Sequence, residues 1–237
     1  MKNEHLPRPL DLGLVALFVV MALLIFAMNE DPFARNWLCA KVPCPHLPHP
    51  LHKIIYDLAI ASIVSLIFYG LIVRLPEYQK RQRIKRSFLG RYKRFKEDCI
   101  GVMLGVADGG FDSDLQETLL DQEKFRAYFK EKVCPSQERW HAFLNNLDEP
   151  SLRELITLLE IFREEILYVL ASTDIPDDEP FEFLKRLSAA IRSLRDTTPG
   201  YDETKPIARF LWEVFAGWDW ITGYRKADII KQMIESI

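Results

Sequence analysis

The sequence predicts an all-α protein with a two-helix transmembrane hairpin followed by a multi-helix cytoplasmic domain. Three observations favour this fold class. Two long apolar segments lie near the N-terminus, a strongly basic segment follows the second of them, and apolar residues recur at helical spacing through the rest of the chain. A run of about 20 apolar residues is long enough to cross a bilayer as a helix.

The two predicted spans cover about residues 10–28 and 54–73, with an outward loop at 29–53 between them. Each reaches spanning length when an aspartate, Asp11 or Asp57, lies at the membrane boundary. The alternative for both segments is a buried helix of a soluble protein. The alternative for the first segment is a signal peptide that is cleaved after its apolar run.

Charge is segregated along the chain. Residues 1–73 hold five basic and five acidic residues, residues 74–96 hold 10 basic and one acidic, and residues 97–237 hold 16 basic and 28 acidic. Lys and Arg next to a span remain on the cytoplasmic side. We therefore expect a multi-pass protein of a prokaryotic-type inner (plasma) membrane, with both termini in the cytoplasm.

This pattern predicts three domains: the membrane hairpin at 1–73, a basic juxtamembrane helix at 74–107 and an acidic all-helical cytoplasmic domain at 108–237. The juxtamembrane helix has one apolar face, because apolar residues are spaced by three or four positions. These residues are Ile84, Phe88, Tyr92, Phe95, Cys99, Met103 and Val106.

The basic residues directly after the second span are candidate membrane contacts. They are Lys80, Arg81, Arg83, Lys85 and Arg86. They are expected either to bind anionic lipid headgroups or only to fix the topology of the hairpin.

Polar residues also follow one face of the second predicted span, at Ser62, Ser65 and Tyr69. Polar side chains in a lipid-embedded helix normally face another helix. We expect this face to pack against the first span or against a second copy of the protein.

The outward loop combines Cys39 and Cys44 with His46, His49 and His52. Two cysteines five residues apart outside the cytoplasm are candidates for a disulfide. The histidines, with the cysteines, are candidate ligands for zinc or copper. The favoured alternative is a stiff proline-rich connector, because the intervening prolines impose an extended path.

The remaining chain is predicted to form consecutive helices without strands. Asp121 is expected to cap one helix, and Pro135 and Ser136 to open the next. Longer apolar stripes predict helices over about 152–169, 180–194, 207–218 and 230–237.

Sequence motifs for catalysis are absent: there is no phosphate-binding glycine loop, no nucleophile elbow and no zinc-protease helix. The sequence therefore predicts no enzyme and no cofactor. The favoured expectation is a membrane-anchored interaction or scaffolding protein that contacts the lipid bilayer and a protein partner, or a second copy, but no nucleic acid. The alternatives are an oligomeric pore gated by the cytoplasmic domain, and a redox or metal sensor that uses the outward loop.

Overall fold

The computed structural model describes residues 9–28, 49–110, 112–200, 202–219 and 221–237, with their side chains except at 9–12, 26–28 and 49–52. Helix accounts for 77% of it, which confirms the predicted all-α class. The chain divides into two compact units, Met1–Lys80 and Arg81–Ile237.

The first unit contains helix α1 (Pro9–Met28) and helix α2 (His49–Tyr69), which pack against each other. Ala59 of α2 is 1% exposed, so this small residue is buried within the first unit. Both helices otherwise expose large apolar side chains to their surroundings. Exposed examples are Val15, Phe18, Val19, Val20 and Leu23 on α1, and Ile54, Leu58, Val64, Ile67 and Phe68 on α2.

One described helical segment, Lys53–Asp108, contains a window that is long and apolar enough to cross a membrane. The mean hydropathy of this window is 2.2, and 6% of it is buried. The described part of α1 contributes a shorter apolar helix, Gly13–Ile25. Among residues with described side chains there is thus one candidate span, and the two-span hairpin stays a proposal.

A π-helical turn, Gly70–Arg74, follows α2. Leu75 donates its N–H to Gly70 O, five residues earlier, instead of the usual four. Pro76 explains this widening, because its ring crowds the carbonyl four residues before it and it has no N–H to donate. The wider turn lets the helix continue past the proline.

Helix α3 (Leu75–Asp108) has the amphipathic character that the sequence predicts. All residues of the predicted apolar stripe are buried except Val106, which is half-buried. The helix ends where the N–H of Gly109 donates to Gly105 O at 3.0 Å. Gly109 has a φ of 74°, a left-handed conformation that glycine adopts without strain.

Shorter helices complete the second unit. They are α4 (Ser113–Thr118), α5 (Gln122–Lys130), α6 (Arg139–Asn146), α7 (Glu149–Ser172), α8 (Asp178–Ser193), α9 (Lys205–Phe215) and α10 (Ile229–Ser236). Asp121 accepts from two N–H groups of α5, as predicted for a helix cap. Aromatic side chains dominate the core: Phe95 stacks on Phe162 with ring centroids 4.6 Å apart, and Phe125 contacts Phe129 at 4.4 Å.

Two short β-hairpins correct the expectation of a chain without strands. Strands β1 (Lys132–Cys134) and β2 (Gln137–Glu138) are antiparallel, as are β3 (Trp218–Asp219) and β4 (Gly223–Tyr224). Pro135 and Ser136 form the turn of the first hairpin, so the prediction that they open a helix is wrong. That helix begins instead at Arg139.

Candidate docking groove

A groove of about 580 Å³ lies on the second unit between α8, α9, the β3–β4 hairpin and the start of α10. Apolar side chains form most of its surface. They are Phe183 and Leu187 of α8, Phe210 and Val214 of α9, Trp218 of β3, and Ile230 and Met233 of α10. The helical spacing within each element turns these side chains to one side, because residues three or four apart share a helix face.

Charged residues surround the apolar surface. Arg209 Nε lies 2.9 Å from Glu213 Oε1 along α9, and Arg225 pairs with Asp219 across the hairpin. An apolar centre within a charged rim is the anatomy of a protein-binding surface. The groove therefore has a composition suited to binding.

The β3–β4 hairpin forms one lip of the groove and depends on Asp219. The carboxylate accepts from the N–H groups of Ile221 at 2.8 Å and Thr222 at 2.9 Å. The backbone N–H groups of Thr222 and Ile221, followed by nearby Arg225, lower the pKa of Asp219. This turn leaves Ile221 94% exposed at the edge of the groove.

An acidic segment lies beside the groove at the start of α8. Its residues are Asp174, Asp177, Asp178, Glu179 and Glu182, and residues 174–184 contain no Lys or Arg. Glu179 also lines the groove itself. This segment favours a cationic ligand at its own end of the groove, whereas Arg186, Arg209 and Arg225 also line the groove.

Asp228 connects the groove to α3 through a buried polar network, here called the Asp228 network. Tyr92 donates its hydroxyl to Asp228 Oδ2 at 2.8 Å. Lys96 Nζ lies 3.1 Å from the same oxygen and donates to Leu120 O at 2.7 Å. Burial, with help from Asp228, raises the pKa of Tyr92 well above its usual value. Asp228 also caps α10 and lines the groove.

Two of the five basic residues that were predicted to contact the membrane, Arg81 and Lys85, bind the C-terminal end of α10 in the structure. Arg81 donates to Ile237 O, and Lys85 donates to Glu235 O. Cations favour the C-terminal end of a helix, where carbonyl groups lack helical partners. Both side chains are half-buried, whereas Lys80, Arg83 and Arg86 are exposed. The five basic residues thus fall into an inner pair and an outer group.

The polar residues predicted for span packing do not all lie on one buried face. Ser62 and Tyr69 are half-buried, but Ser65 is exposed. The hydroxyls of Ser62 and Ser65 donate to Leu58 O and Ala61 O of their own helix, both at 2.8 Å. The described contacts of these serines are therefore intrahelical.

The proposed disulfide and metal residues cannot be placed. Cys39, Cys44 and His46 lie outside the described residues, and His49 and His52 are described only as part of the backbone of α2. Within the described part of the chain, no group of three or more His, Cys, Asp or Glu residues is arranged to hold a metal ion.

Sequence reasoning missed the groove and the Asp228 network. The apolar groove residues belong to stripes that also supply the core, so the sequence does not separate buried from half-buried members. Lys96 was one of ten basic residues in a segment, and nothing in its spacing distinguished it. The one available signal was its position among the apolar stripe residues Tyr92, Phe95 and Cys99.

No protein-family model, no curated protein and no solved structure matches this chain.

Proposed function

We propose that this chain is a membrane-anchored interaction protein, and that its helical unit, Arg81–Ile237, holds a helix of a partner protein in the groove. The observation that carries the proposal is the groove itself, with an apolar surface inside a charged rim. We further propose that α1 and α2 both span the inner membrane, with the helical unit on the cytoplasmic side.

The exposed apolar surface of α1 and α2 supports the membrane anchor. Among the described residues, large apolar side chains on both helices are exposed, and soluble domains rarely expose such continuous apolar surface. Lipid could cover this surface without leaving backbone N–H and C=O groups unpaired, because the backbone hydrogen bonds of a helix are made within the helix. The basic residues after the second span support the cytoplasmic orientation.

The shape and charge of the groove determine the proposed occupant. A groove between helices suits an amphipathic helix, whose apolar residues at helical spacing enter the groove. The acidic segment at the start of α8 favours Lys or Arg beside those apolar residues, because complementary charge accelerates encounter and excludes wrong partners. The occupant is therefore a basic amphipathic helix of another protein.

Photo-crosslinking in living cells tests this proposal. The photoreactive residue p-benzoylphenylalanine would replace Phe183, which lines the groove, or Phe181, which is equally half-buried on α8 but does not. We expect the Phe183 variant to capture one defined protein from the membrane fraction and the Phe181 variant not to capture it. Equal products at both positions would contradict a role of the groove.

Charge reversal tests the identity of the occupant. The double variant Asp178→Lys and Glu179→Lys should reduce the captured product at Phe183, whereas Glu164→Lys and Glu165→Lys on α7 should leave it unchanged. Added salt should also reduce the captured product, because it screens the attraction between the acidic segment and a basic occupant. A captured second copy of this chain, or a purified protein that binds no protein and converts a small molecule, would overturn the proposal.

A further inference from the structure

Helix α10 forms a wall of the groove on one side and contacts α3 on the other. Ile230 and Met233 line the groove, while Asp228 at the start of the helix belongs both to the groove and to the Asp228 network. Helix α10 has eight residues, and isolated helices of this length are unstable in water. Its position must therefore come from its contacts.

The polar contacts between α10 and α3 lie at both ends of α10. Tyr92 and Lys96 bind Asp228 at the N-terminal end, and Arg81 and Lys85 bind carbonyls at the C-terminal end. All four side chains lie on α3 at positions 81, 85, 92 and 96, which is one helix face at spacings of four and seven. Lys96 is 5% exposed, so its ion pair with Asp228 is shielded from water.

We propose that α3 sets the width of the groove through these contacts, so that the state of the groove and the state of the juxtamembrane helix are coupled. Tyr92, Lys96, Arg81 and Lys85 are then positioning residues, since none of them lines the groove. A shift of α3 moves α10, and an occupant that displaces α10 releases the same contacts on α3. This coupling rests on the proposed docking function. The contacts between α3 and α10 that produce it do not depend on the identity of the occupant.

Thiol labelling of the groove tests the coupling without a partner. The full chain in non-ionic detergent would carry Met233→Cys, with Cys39→Ser, Cys44→Ser and Cys134→Ser to remove other reactive thiols. Cys99 can remain, because it is fully buried and burial raises the pKa of its thiol. The measured quantity is the rate at which N-ethylmaleimide modifies the thiol at position 233.

Two pairs of variants on the same helix give a matched comparison. The inner pair, Arg81→Met and Lys85→Met, should raise the labelling rate about five-fold, since each lost hydrogen bond increases local opening of α10. The outer pair, Arg83→Met and Arg86→Met, removes the same charge and should leave the rate unchanged. Tyr92→Phe removes the hydroxyl that donates to Asp228 but keeps the ring, so it should also raise the labelling rate.

The reverse measurement separates coupling from simple loss of stability, because a coupling between two sites must act in both directions. A bulky biotin-maleimide attached at position 233 should increase tryptic cleavage after Arg81 and Lys85 more than after Arg83 and Arg86. Equal labelling rates in all variants, or cleavage unaffected by the bulky label, would overturn the proposal. Neither result depends on capture of a partner, so failure of the docking proposal would be recognised separately.

Discussion

At the scale of single residues, the most consequential side chain is Lys96. Its ammonium is buried with two acceptors, Leu120 O and Asp228, and a buried charge without partners would be strongly unfavourable. Removing such a group leaves the remaining carboxylate partly uncompensated, although Tyr92 and the N–H of Lys231 still donate to Asp228.

Replacement of this lysine should therefore destabilise the second unit. We expect Lys96→Met to lower the free energy of unfolding by about 2 kcal/mol, measured by denaturant unfolding of the full chain in detergent. The control is Lys93→Met, three residues earlier, whose exposed ion pairs with Glu97 and Glu117 are worth less than about 1 kcal/mol. Equal effects of the two variants would show that the Asp228 network does not stabilise the fold.

Asp219 gives the groove an acid sensitivity. Its pKa is lowered in the folded protein, so its contribution to stability is present above the unfolded value of 3.8 and is lost as pH falls through the folded pKa. Hydrogen exchange of residues 218–226, corrected for intrinsic rates, should show a hairpin that is protected at about pH 5.5 and whose protection decreases as the pH is lowered below 3.8. In Asp219→Asn the difference between these two conditions should vanish. Unchanged protection of the parent at low pH would contradict the role of this carboxylate.

At the scale of elements, helical periodicity carries most of the information in the sequence. The stripe from Ile84 to Met103 predicted the buried face of α3, because packing of an amphipathic helix follows its apolar side. The β-hairpins could not be predicted in the same way. Strands of two or three residues are too short to show alternation, and their turns, such as Pro135 and Ser136, resemble helix starts.

The end of α3 provides a matched test of local structure with two glycines. Gly105 lies inside the helix, and an added Cβ would meet nothing within 4 Å. Gly105→Ala should therefore raise the free energy of unfolding by about 1 kcal/mol, through the higher helix propensity of alanine. Gly109 has a φ of 74°, so Gly109→Ala should lower it by about 1 kcal/mol. Thermal unfolding of both variants beside the parent measures the two shifts, and shifts of the same sign would contradict the helix end at Asp108.

At the scale of the whole molecule, the sequence identified a neutral apolar front, a basic segment and an acidic remainder, but not how the basic residues divide their roles. Only the structure separates the inner pair, Arg81 and Lys85, from the exposed Lys80, Arg83 and Arg86. The groove was equally invisible, because it forms where four separate elements between residues 178 and 236 meet. The way in which such elements pack against one another leaves no periodic trace in the chain.

The outer group should therefore affect topology, and the inner pair should affect the fold. Replacement of Lys80, Arg83 and Arg86 by Glu should insert a fraction of the molecules in the inverted orientation, since each Lys or Arg near a span end counts toward orientation. Correctly inserted molecules of this variant should unfold at the temperature of the parent. Arg81→Met with Lys85→Met should leave most molecules in the parental orientation, since Lys80, Arg83 and Arg86 remain, but should lower the unfolding temperature.

The central claim is that two spans anchor the chain with its helical unit in the cytoplasm. The most direct test combines two measurements in intact cells. A reporter protein is fused after Ile237, and a membrane-impermeant thiol reagent is used to label Cys39 and Cys44 in the presence of a reductant. We predict that the fused reporter is active in the cytoplasm and that the reagent reaches the cysteines from outside. A fused reporter on the outer face, or a protein that stays soluble after the membranes are sedimented, would contradict it.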